Sequence, residues 1–239
     1  MRRCTIPSSG GRPAGMIALD AVSHDFDGRL VLADITVSLN ERRIGIVGAN
    51  GSGKSTFARL LNGLVIPRSG RVTIDGLDTA RDAKAIRRKV GFVFQNPDHQ
   101  IVMPIVSEDL AFGLKARKVP KAEIDGRIDA ALARYDLGHL RERPVHQLSG
   151  GEKQLVALSA VLVTEPDILV FDEPTTLLDL RNRNRVASAI EALPHQAVIV
   201  SHDLDLLQRV DRVLMIDDGR IAADGPPAKV LPFYREHMR

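Results

Sequence analysis

A glycine-rich segment constrains the fold of this chain more than any other feature. It runs from Gly48 to Thr56, reads Gly-Ala-Asn-Gly-Ser-Gly-Lys-Ser-Thr, and fits G-x-x-x-x-G-K-[ST] at every fixed position. The apolar run Ile44–Val47 precedes it, and the helix-forming stretch Thr56–Asn62 comes after it. A strand, a phosphate-binding loop and a helix in this order predict a parallel α/β sheet with a nucleotide at its edge.

The residue types in this segment suit a phosphate ligand. Glycines let successive backbone N–H groups face phosphate oxygens, and the helix N-terminus adds partial positive charge. Lys54 is expected to reach the β- and γ-phosphates, and Ser55 to bind Mg²⁺. A plain glycine-rich turn would not need the strand and helix on either side. The residues expected to bind nucleotide here are Gly48, Ala49, Asn50, Gly51, Ser52, Gly53, Lys54, Ser55 and Thr56.

Two carboxylates come after a second apolar run, Ile168–Phe171. They are Asp172 and Glu173, and Pro174 comes directly after them. In enzymes with a phosphate-binding loop, an acidic residue at this place holds Mg²⁺, which is the role expected of Asp172. Glu173 is expected to polarise the attacking water. Acidic residues also end strands simply as solvated groups, and the glycine-rich segment upstream is what favours the catalytic interpretation.

A third segment reads Leu-Ser-Gly-Gly-Glu-Lys-Gln from residue 148 to residue 154, just before the helical run Leu155–Val163. Ser149 as N-cap, with Glu152 three residues later, fits a capping box. This structural role is compatible with anion binding at the same helix end. The chain therefore carries two candidate phosphate-binding helix ends. The second one would use Ser149, Gly150, Gly151 and Glu152.

These three segments, in this order, resemble the signature of ABC ATPases. The resemblance extends from Met16 to about Ala228. It implies an enzyme that hydrolyses ATP with Mg²⁺ and works as a head-to-tail pair. In such a pair, the glycine-rich segment of one chain and Ser149–Gly151 of the other enclose each ATP. The second subunit would be the same chain or a paralogue.

Further positions match the same family. Gln95 matches a glutamine that contacts Mg²⁺ and the water, and His202 matches a histidine that contacts the γ-phosphate, both with catalytic roles. Asp179 matches the aspartate downstream of the catalytic glutamate and is expected near the nucleotide. Phe26 stands where the family often has a tyrosine that stacks on adenine, and it keeps the aromatic face. The sequence departs from the family at Leu155, where arginine is usual.

The predicted fold class is α/β, a P-loop NTPase of ABC type. We expect a mixed sheet with central parallel strands, an antiparallel β subdomain and an inserted helical subdomain. The turn signal Asp217-Asp218-Gly219 predicts a final hairpin that closes the domain. The predicted strands are Ile17–Val22, Ile35–Leu39, Ile44–Val47, Val72–Ile74, Val90–Phe94, Ile168–Phe171, Ala197–Val200, Arg212–Ile216 and Arg220–Ala223.

The strand signal disappears between Ser107 and Gln147, which predicts a helical subdomain over about 104–165. Ser107, with two acidic residues directly after it, is typical of an N-cap. Pro120 is expected to open a second helix that ends at Gly138. Residues 1–15 are interpreted as a disordered leader, and residues 16–239 as one nucleotide-binding domain.

Composition narrows the class of partner. Lys and Arg total 33 and Asp and Glu total 30, so the net charge of +3 gives no strongly basic surface for nucleic acid. The single cysteine, Cys4, cannot form a disulfide within the chain. No apolar run approaches the ~18 residues of a membrane-spanning helix. We therefore expect a peripheral protein at the cytoplasmic face of the cell membrane, held there by partner subunits.

The segment Phe94–Gln100, which reads Phe-Gln-Asn-Pro-Asp-His-Gln, is more particular than the other motifs. With Ser107-Glu108-Asp109 and Ala111–Gly113, it resembles the ATPases of energy-coupling factor (ECF) importers for vitamins and metals. The resemblance implies a transmembrane coupling subunit and a substrate-binding membrane subunit as partners. Biotin importers are the most similar in pattern, with cobalt or nickel importers next. The alternatives are a soluble ABC ATPase that acts on nucleic acid or ribosomes and a nucleotide-dependent regulator without turnover.

Overall fold

The computed structural model describes residues 15–176 and 178–238. Its strands are β1 (Ile17–Phe26), β2 (Arg29–Leu39), β3 (Arg43–Val47), β4 (Ser69–Ile74), β5 (Leu77–Asp78), β6 (Val90–Val93), β7 (Ile168–Asp172), β8 (Gln196–Val200), β9 (Arg212–Asp217) and β10 (Arg220–Gly225). Its helices are α1 (Lys54–Leu61), α2 (Ala83–Lys89), α3 (Val106–Ala116), α4 (Lys121–Ala133), α5 (Gly150–Leu162), α6 (Leu180–Glu191), α7 (Leu204–Leu207) and α8 (Pro227–His237).

The strands form two sheets. The smaller sheet has the order β2-β1-β4-β5 with antiparallel pairing, and the larger has the order β10-β9-β3-β8-β7-β6. In the larger sheet, β9, β3, β8, β7 and β6 are parallel, and β10 is antiparallel to β9. The predicted mixed sheet with central parallel strands and a separate antiparallel sheet is confirmed.

Side chains of the central strands point alternately to the two faces of the larger sheet, and the hydrophobic core is divided into two clusters accordingly. In β7, Ile168 and Val170 belong to a cluster shared with the antiparallel sheet and α1, whereas Leu169 and Phe171 belong to a cluster shared with α3 to α6. Successive side chains of a strand point to opposite faces, so both faces of the larger sheet are covered. This double burial explains why β3, β7 and β8 are buried at every position.

The region between β6 and β7 holds helices and turns, with one isolated bridge between Ile105 and Pro144. Ile124, Ile128 and Leu132 of α4 are buried, as the helical spacing predicts. The N-cap prediction was wrong, because α3 begins at Val106 and Ser107 lies inside it. The stop at Gly138 was also wrong. Helix α4 ends at Ala133, and the left-handed residue after it is Asp136.

Differences from the predicted elements lie at the edges of the domain. Strand β2 begins at Arg29, not near Ile35, and pairs with β1 in a hairpin. The β9–β10 hairpin is present, but it does not close the domain, because α8 comes after it and packs on β9. No helix in the described ranges is both long and apolar enough to cross a membrane. The predicted leader lies outside the described residues except for Gly15.

Candidate functional site

The glycine-rich segment lies between the carboxyl end of β3 and the N-terminus of α1. Two of its glycines are required sterically. A Cβ on Gly48 would lie 2.0 Å from the carbonyl oxygen of Ile216 in β9. Gly53, the N-cap of α1, has φ +104°, and a Cβ there would lie 2.7 Å from the carbonyl oxygen of Val31. At these two positions, therefore, only glycine lets the loop fit between β9 and β2.

Lys54 starts α1 and is 6% exposed. Its Nζ donates to the carbonyl oxygens of Gly48 (2.9 Å) and Ala49 (2.7 Å). Burial lowers the pKa of Lys54, while the charges of Glu173 and Asp172 act in the opposite direction. The ammonium is thus a buried cation whose hydrogen-bond partners are neutral carbonyls, an arrangement that an anion in the loop would stabilise.

Ser55 and Asp172 lie side by side. The hydroxyl of Ser55 donates to Oδ1 of Asp172 at 2.8 Å, and the carboxylate is 3% exposed. Arg59, one helical turn after Ser55, places its guanidinium 3.6 Å from Oδ2 of Asp172. The sequence reasoning missed Arg59, although its i+4 spacing from Ser55 on α1 could have indicated the contact.

Glu173 has a backbone conformation that glutamate rarely adopts. Its φ is +53°, and of the non-glycine residues with positive φ in the described ranges it is the buried one. The conformation is held by a hydrogen bond from its N–H to the carbonyl oxygen of Val200 at 2.9 Å. Oε2 accepts from the N–H of His202 at 3.1 Å and from the hydroxyl of Thr176 at 3.2 Å. Strain of this kind is characteristic of functional positions.

The second carboxylate oxygen of Glu173 has a different environment. Oε1 is buried and has no hydrogen-bond partner among the residues that the structure describes. Nε2 of His202 lies 3.3 Å away but without hydrogen-bond geometry. A buried acceptor without a donor costs free energy unless a ligand or water supplies one. The orphaned oxygen therefore marks where a water could be held.

One cleft of about 800 Å³ brings most of the predicted residues together. Members of the glycine-rich segment line it, and so do Gln95, Glu173, His202 and Phe26. Phe26 lies at the end of β1, is 50% exposed, and has the ring of His24 edge-on at 4.7 Å. Sequence reasoning missed six of the residues that line the cleft: Arg29, Leu30, Val31, Thr176, Asp218 and Gly219. Asp218 and Gly219 were assigned to a hairpin turn from the sequence but were given no part in the site.

The segment at the start of α5 does not line this cleft. Ser149 is the N-cap of α5, and the predicted capping box with Glu152 is present. Ser149 and Gly150 are exposed, while Gly151 packs so closely on α6 that a Cβ would lie 2.3 Å from Cγ of Asn182. Within one chain, the second candidate phosphate-binding end therefore has no contact with the first.

Asp179 connects the acidic strand end to α6. As N-cap it accepts from the N–H of Asn182 at 2.8 Å and from the side-chain amide of Asn182 at 2.9 Å. Like Ser149, it lies outside the cleft. Leu177, in the same segment, is outside the described residues. Leu155, where the family usually has arginine, is 1% exposed and belongs to the core.

Comparisons with known proteins agree with this geometry. A family model described as "ABC transporter" matches residues 32–176. A relative from Deinococcus radiodurans, named as an ABC transporter ATP-binding protein, is 63% identical over 93% of this chain and 99% of its own length. The biotin transport ATP-binding protein BioM of Rhizobium etli is 48% identical over 92% of this chain and 98% of its own length.

Two further similarities are to proteins whose names also describe transporters. An energy-coupling factor transporter ATP-binding protein from Halalkalibacterium halodurans is 40% identical, over 90% of this chain and 80% of its own length. A solved structure from Clostridium perfringens, CbiO1, is titled as part of the ABC transporter complex CbiONQ. It superposes with a TM-score of 0.82 and 32% identity, and covers 94% of each chain.

Proposed function

This chain belongs to the ABC transporter family as an ATP-binding subunit, and on that premise we propose that it hydrolyses ATP to power an importer of the energy-coupling factor class. The resemblance seen in the sequence motifs is thereby confirmed at the level of the family. The residue roles and the composition of the complex are the proposal, and the contacts within and around the cleft support them.

The observation that carries the proposal is the state of Lys54. A cation that is 6% exposed and bonded to the carbonyls of Gly48 and Ala49 is incompletely neutralised. The polyphosphate of ATP would supply the missing negative charge, and backbone N–H groups of the same loop would share it. Phe26, which also lines the cleft, offers an aromatic face on which the adenine would stack.

The residues beside Lys54 fit Mg²⁺. The hydroxyl of Ser55 and the carboxylate of Asp172 are hard oxygen ligands within 2.8 Å of each other, and Gln95 adds an amide oxygen at the same cleft. The described residues contain no cluster of three or more His, Cys, Asp or Glu that could hold a metal by themselves. This suits Mg²⁺, which commonly uses few protein ligands together with phosphates and water. Bound there, the ion would neutralise charge on the phosphates.

Glu173 is the group that we assign to the attacking water. Its buried, orphaned Oε1 would accept a hydrogen bond from that water and take its proton as the γ-phosphorus is attacked. His202, 3.3 Å from the same oxygen, would contact the γ-phosphate. Gln95, which lines the same cleft, would complete the set. Water attacks phosphorus, the bond to the bridging oxygen breaks, and ADP and phosphate leave.

The exposed start of α5 would act in a second chain. Ser149, Gly150 and Gly151 lie outside the cleft of their own chain, but they present a capped helix N-terminus to solvent. A head-to-tail pair would place this end over the ATP held by the partner, with Glu152 supporting the cap and Asp179 nearby. The second subunit is the same chain or a paralogue.

The membrane partners derive from the class of importer. We infer a transmembrane coupling subunit and a substrate-binding membrane subunit, with this chain peripheral at the cytoplasmic face. Exposed apolar side chains of the segment after Gln95, such as Val102 (62%) and Phe112 (50%), would contact the coupling subunit. Biotin is the first candidate cargo, because BioM is named as a biotin transport protein. Cobalt or nickel is the second, on the resemblance in the sequence pattern.

Phosphate release by the purified full-length chain with ATP and Mg²⁺ tests the enzymatic part. Glu173→Gln keeps the size and the Oε2 contacts, and should lower kcat by at least ~10²-fold while ATP binding persists. The same variant should accumulate an ATP-dependent dimer on size-exclusion chromatography. Unchanged turnover would remove Glu173 from the catalytic role.

Purification from a membrane extract tests the transport part. Recovery of a polytopic membrane protein with the tagged chain, and retention of labelled biotin by that complex, would support a biotin importer. Retention of cobalt or nickel instead would change the cargo. Recovery of RNA or DNA without a membrane protein would overturn the importer.

A further inference from the structure

Gln95 lies at the end of an edge strand. Among the described strands, β6 pairs with β7 alone and ends at Val93, so the sheet does not hold the next residue, Phe94, by ladder hydrogen bonds. Gln95 itself is exposed in the cleft. Its position over the nucleotide must therefore be set by whatever holds the backbone of Phe94.

Two side-chain amides hold that backbone. Oε1 of Gln100 accepts from the N–H of Phe94 at 3.1 Å. Nε2 of Gln154, a residue of α5 that is 2% exposed, donates to the carbonyl oxygen of Phe94 at 3.4 Å. Both polar groups of Phe94 are thus satisfied by glutamines, which replace the hydrogen bonds that the strand no longer provides.

Gln100 also reaches beyond the loop. Its Nε2 donates to the carbonyl oxygen of Ala157 in α5 at 2.7 Å. One carboxamide therefore joins the backbone next to Gln95 to the helix that begins with Ser149 and Gly150. A carboxamide is suited to this place because it accepts at one end and donates at the other.

We propose that Gln100 is a positioning residue: it fixes Gln95 relative to α5, so that the catalytic glutamine and the helix end that would cover the partner's ATP move as one body. The sequence pattern of Phe94–Gln100 resembles that of importer ATPases and points to membrane partners. The side chain of Gln100 nevertheless turns inward, to the residue after β6 and to the middle of α5. This inference rests on the proposed ATPase function.

Gln100→Glu tests the proposal because it changes one atom. The carboxylate still accepts from Phe94, but it offers no donor to Ala157 and places two oxygens face to face. We expect kcat to fall roughly fivefold to tenfold with KM for ATP within about twofold, since Gln100 does not touch the nucleotide cleft. As pH falls, a protonated carboxyl donates again, so kcat relative to the natural chain should recover.

A double-mutant cycle separates positioning from general damage. If Gln100 acts through Gln95, then Gln100→Glu should have no further effect on kcat in a Gln95→Ala background. Losses that multiply would overturn the proposal. Asp98→Asn is the matched control, because it removes an exposed contact of the same loop to α5, the 2.7 Å ion pair with Lys153, and should leave kcat within about twofold.

Two further measurements keep the outcome clear. Gln100→Met, of similar length and without polar atoms, serves if Gln100→Glu does not fold, and thermal melting identifies that case. A natural chain that releases no phosphate would overturn the proposed function. A natural chain that turns over, together with unchanged kcat in both Gln100 variants, would overturn this inference alone.

Discussion

The carboxyl edge of the parallel sheet, where α1 begins, and the start of α5 each present a helix N-terminus for which we propose anion binding, yet their surroundings differ. At the sheet edge, Lys54, Asp172 and Glu173 are each less than 10% exposed, and they are hydrogen-bonded to the glycine-rich loop, to α1 and to β8, respectively. At the start of α5, Ser149 and Gly150 are exposed and lie outside the cleft among the residues that the structure describes.

The difference separates binding from turnover. Groups that are already held in place cost little reorganisation when a ligand arrives, so on the proposed assignment a single chain would suffice to bind the phosphates. The groups at α5 would reach a phosphate only when a second chain closes over the cleft, as lids do in other enzymes. Control of hydrolysis would then lie in the closing of the pair rather than in the chemistry of either half.

Mixing two defective variants is the strongest way to break this comparison. Lys54→Ala removes the phosphate contact in the cleft, and Ser149→Arg blocks the exposed helix end. Each variant alone should lose at least ~10²-fold in phosphate release. A mixed pair unites both defects in one composite site and leaves the other intact, so random equimolar mixing should restore about a quarter of the natural activity if the sites are independent.

If the mixture stays inactive, a cross-link shows whether the head-to-tail arrangement is wrong or whether both sites of a pair must be intact for turnover. The chain has one natural cysteine, Cys4. In a Cys4→Ser background, Asn50→Cys combined with Ser149→Cys should give an ATP-dependent disulfide between chains. Absence of activity in the mixture, with the cross-link present, would mean that both sites must be intact. Absence of the cross-link as well would contradict the shared site.

Alanine substitutions at Gly48 and Gly151, one in each region, test the same comparison through the free energy of unfolding. Gly48→Ala drives a Cβ into the backbone of Ile216 inside the sheet, which cannot move away, and should cost about 2–3 kcal/mol in the free energy of unfolding. In Gly151→Ala the new Cβ would lie 2.3 Å from Cγ and 2.7 Å from Cβ of Asn182, so the side chain must turn away and α6 must shift slightly; with the lost hydrogen bond to Asp179, about 1–2 kcal/mol is expected. Urea unfolding measures both.

The control for these variants is Gly126→Ala. Gly126 lies inside α4, and nothing among the described residues stands within 4 Å of a Cβ at that position, so alanine should stabilise the chain by up to ~1 kcal/mol. Equal costs for Gly48→Ala and Gly151→Ala would contradict the view that the first loop is held by backbone and the second by a side chain.

The central elements were predictable because their sequences allow few alternatives. Strands buried on both faces, such as β3 and β7, are continuous apolar runs, and the glycine pattern determines the loop after β3. The capping box at Ser149 and Glu152 is local and was also predicted correctly. Signals of this kind depend on neighbours in sequence, which is why they can be recognised without a structure.

The rest depended on contacts far apart in sequence. Leu30 and Asp218 reach the cleft because the β1–β2 and β9–β10 hairpins converge there, joined by a hydrogen bond from Ala33 to the carbonyl oxygen of Gly219. The contact of Gln100 with Ala157 spans 57 residues. No periodicity in the sequence indicates such pairs. The N-cap predicted at Ser107 was wrong because the helix already begins at the apolar residue before it, Val106.

The smallest expected effect concerns pH at the exposed helix end. Hydrogen bonds from the N–H and hydroxyl of Ser149 lower the pKa of Glu152. Because the folded pKa lies below the unfolded value, the ionised capping box contributes stability at neutral pH, and this contribution is lost as pH falls through the lowered pKa. Glu152→Gln keeps an acceptor oxygen for the cap but removes the charge, so it should cost about 0.5 kcal/mol at pH 7 and should flatten the dependence of unfolding free energy on pH below ~4.5.

Urea unfolding of the natural chain and of Glu152→Gln between pH 3 and pH 7 gives both slopes. Curves that remain parallel over this range would mean that the carboxylate is not bound to the helix end in solution. The cap would then be free to open, and α5 would present bare N–H groups to a partner's phosphate. In that case the two anion-binding ends would differ in their internal order as well as in their exposure.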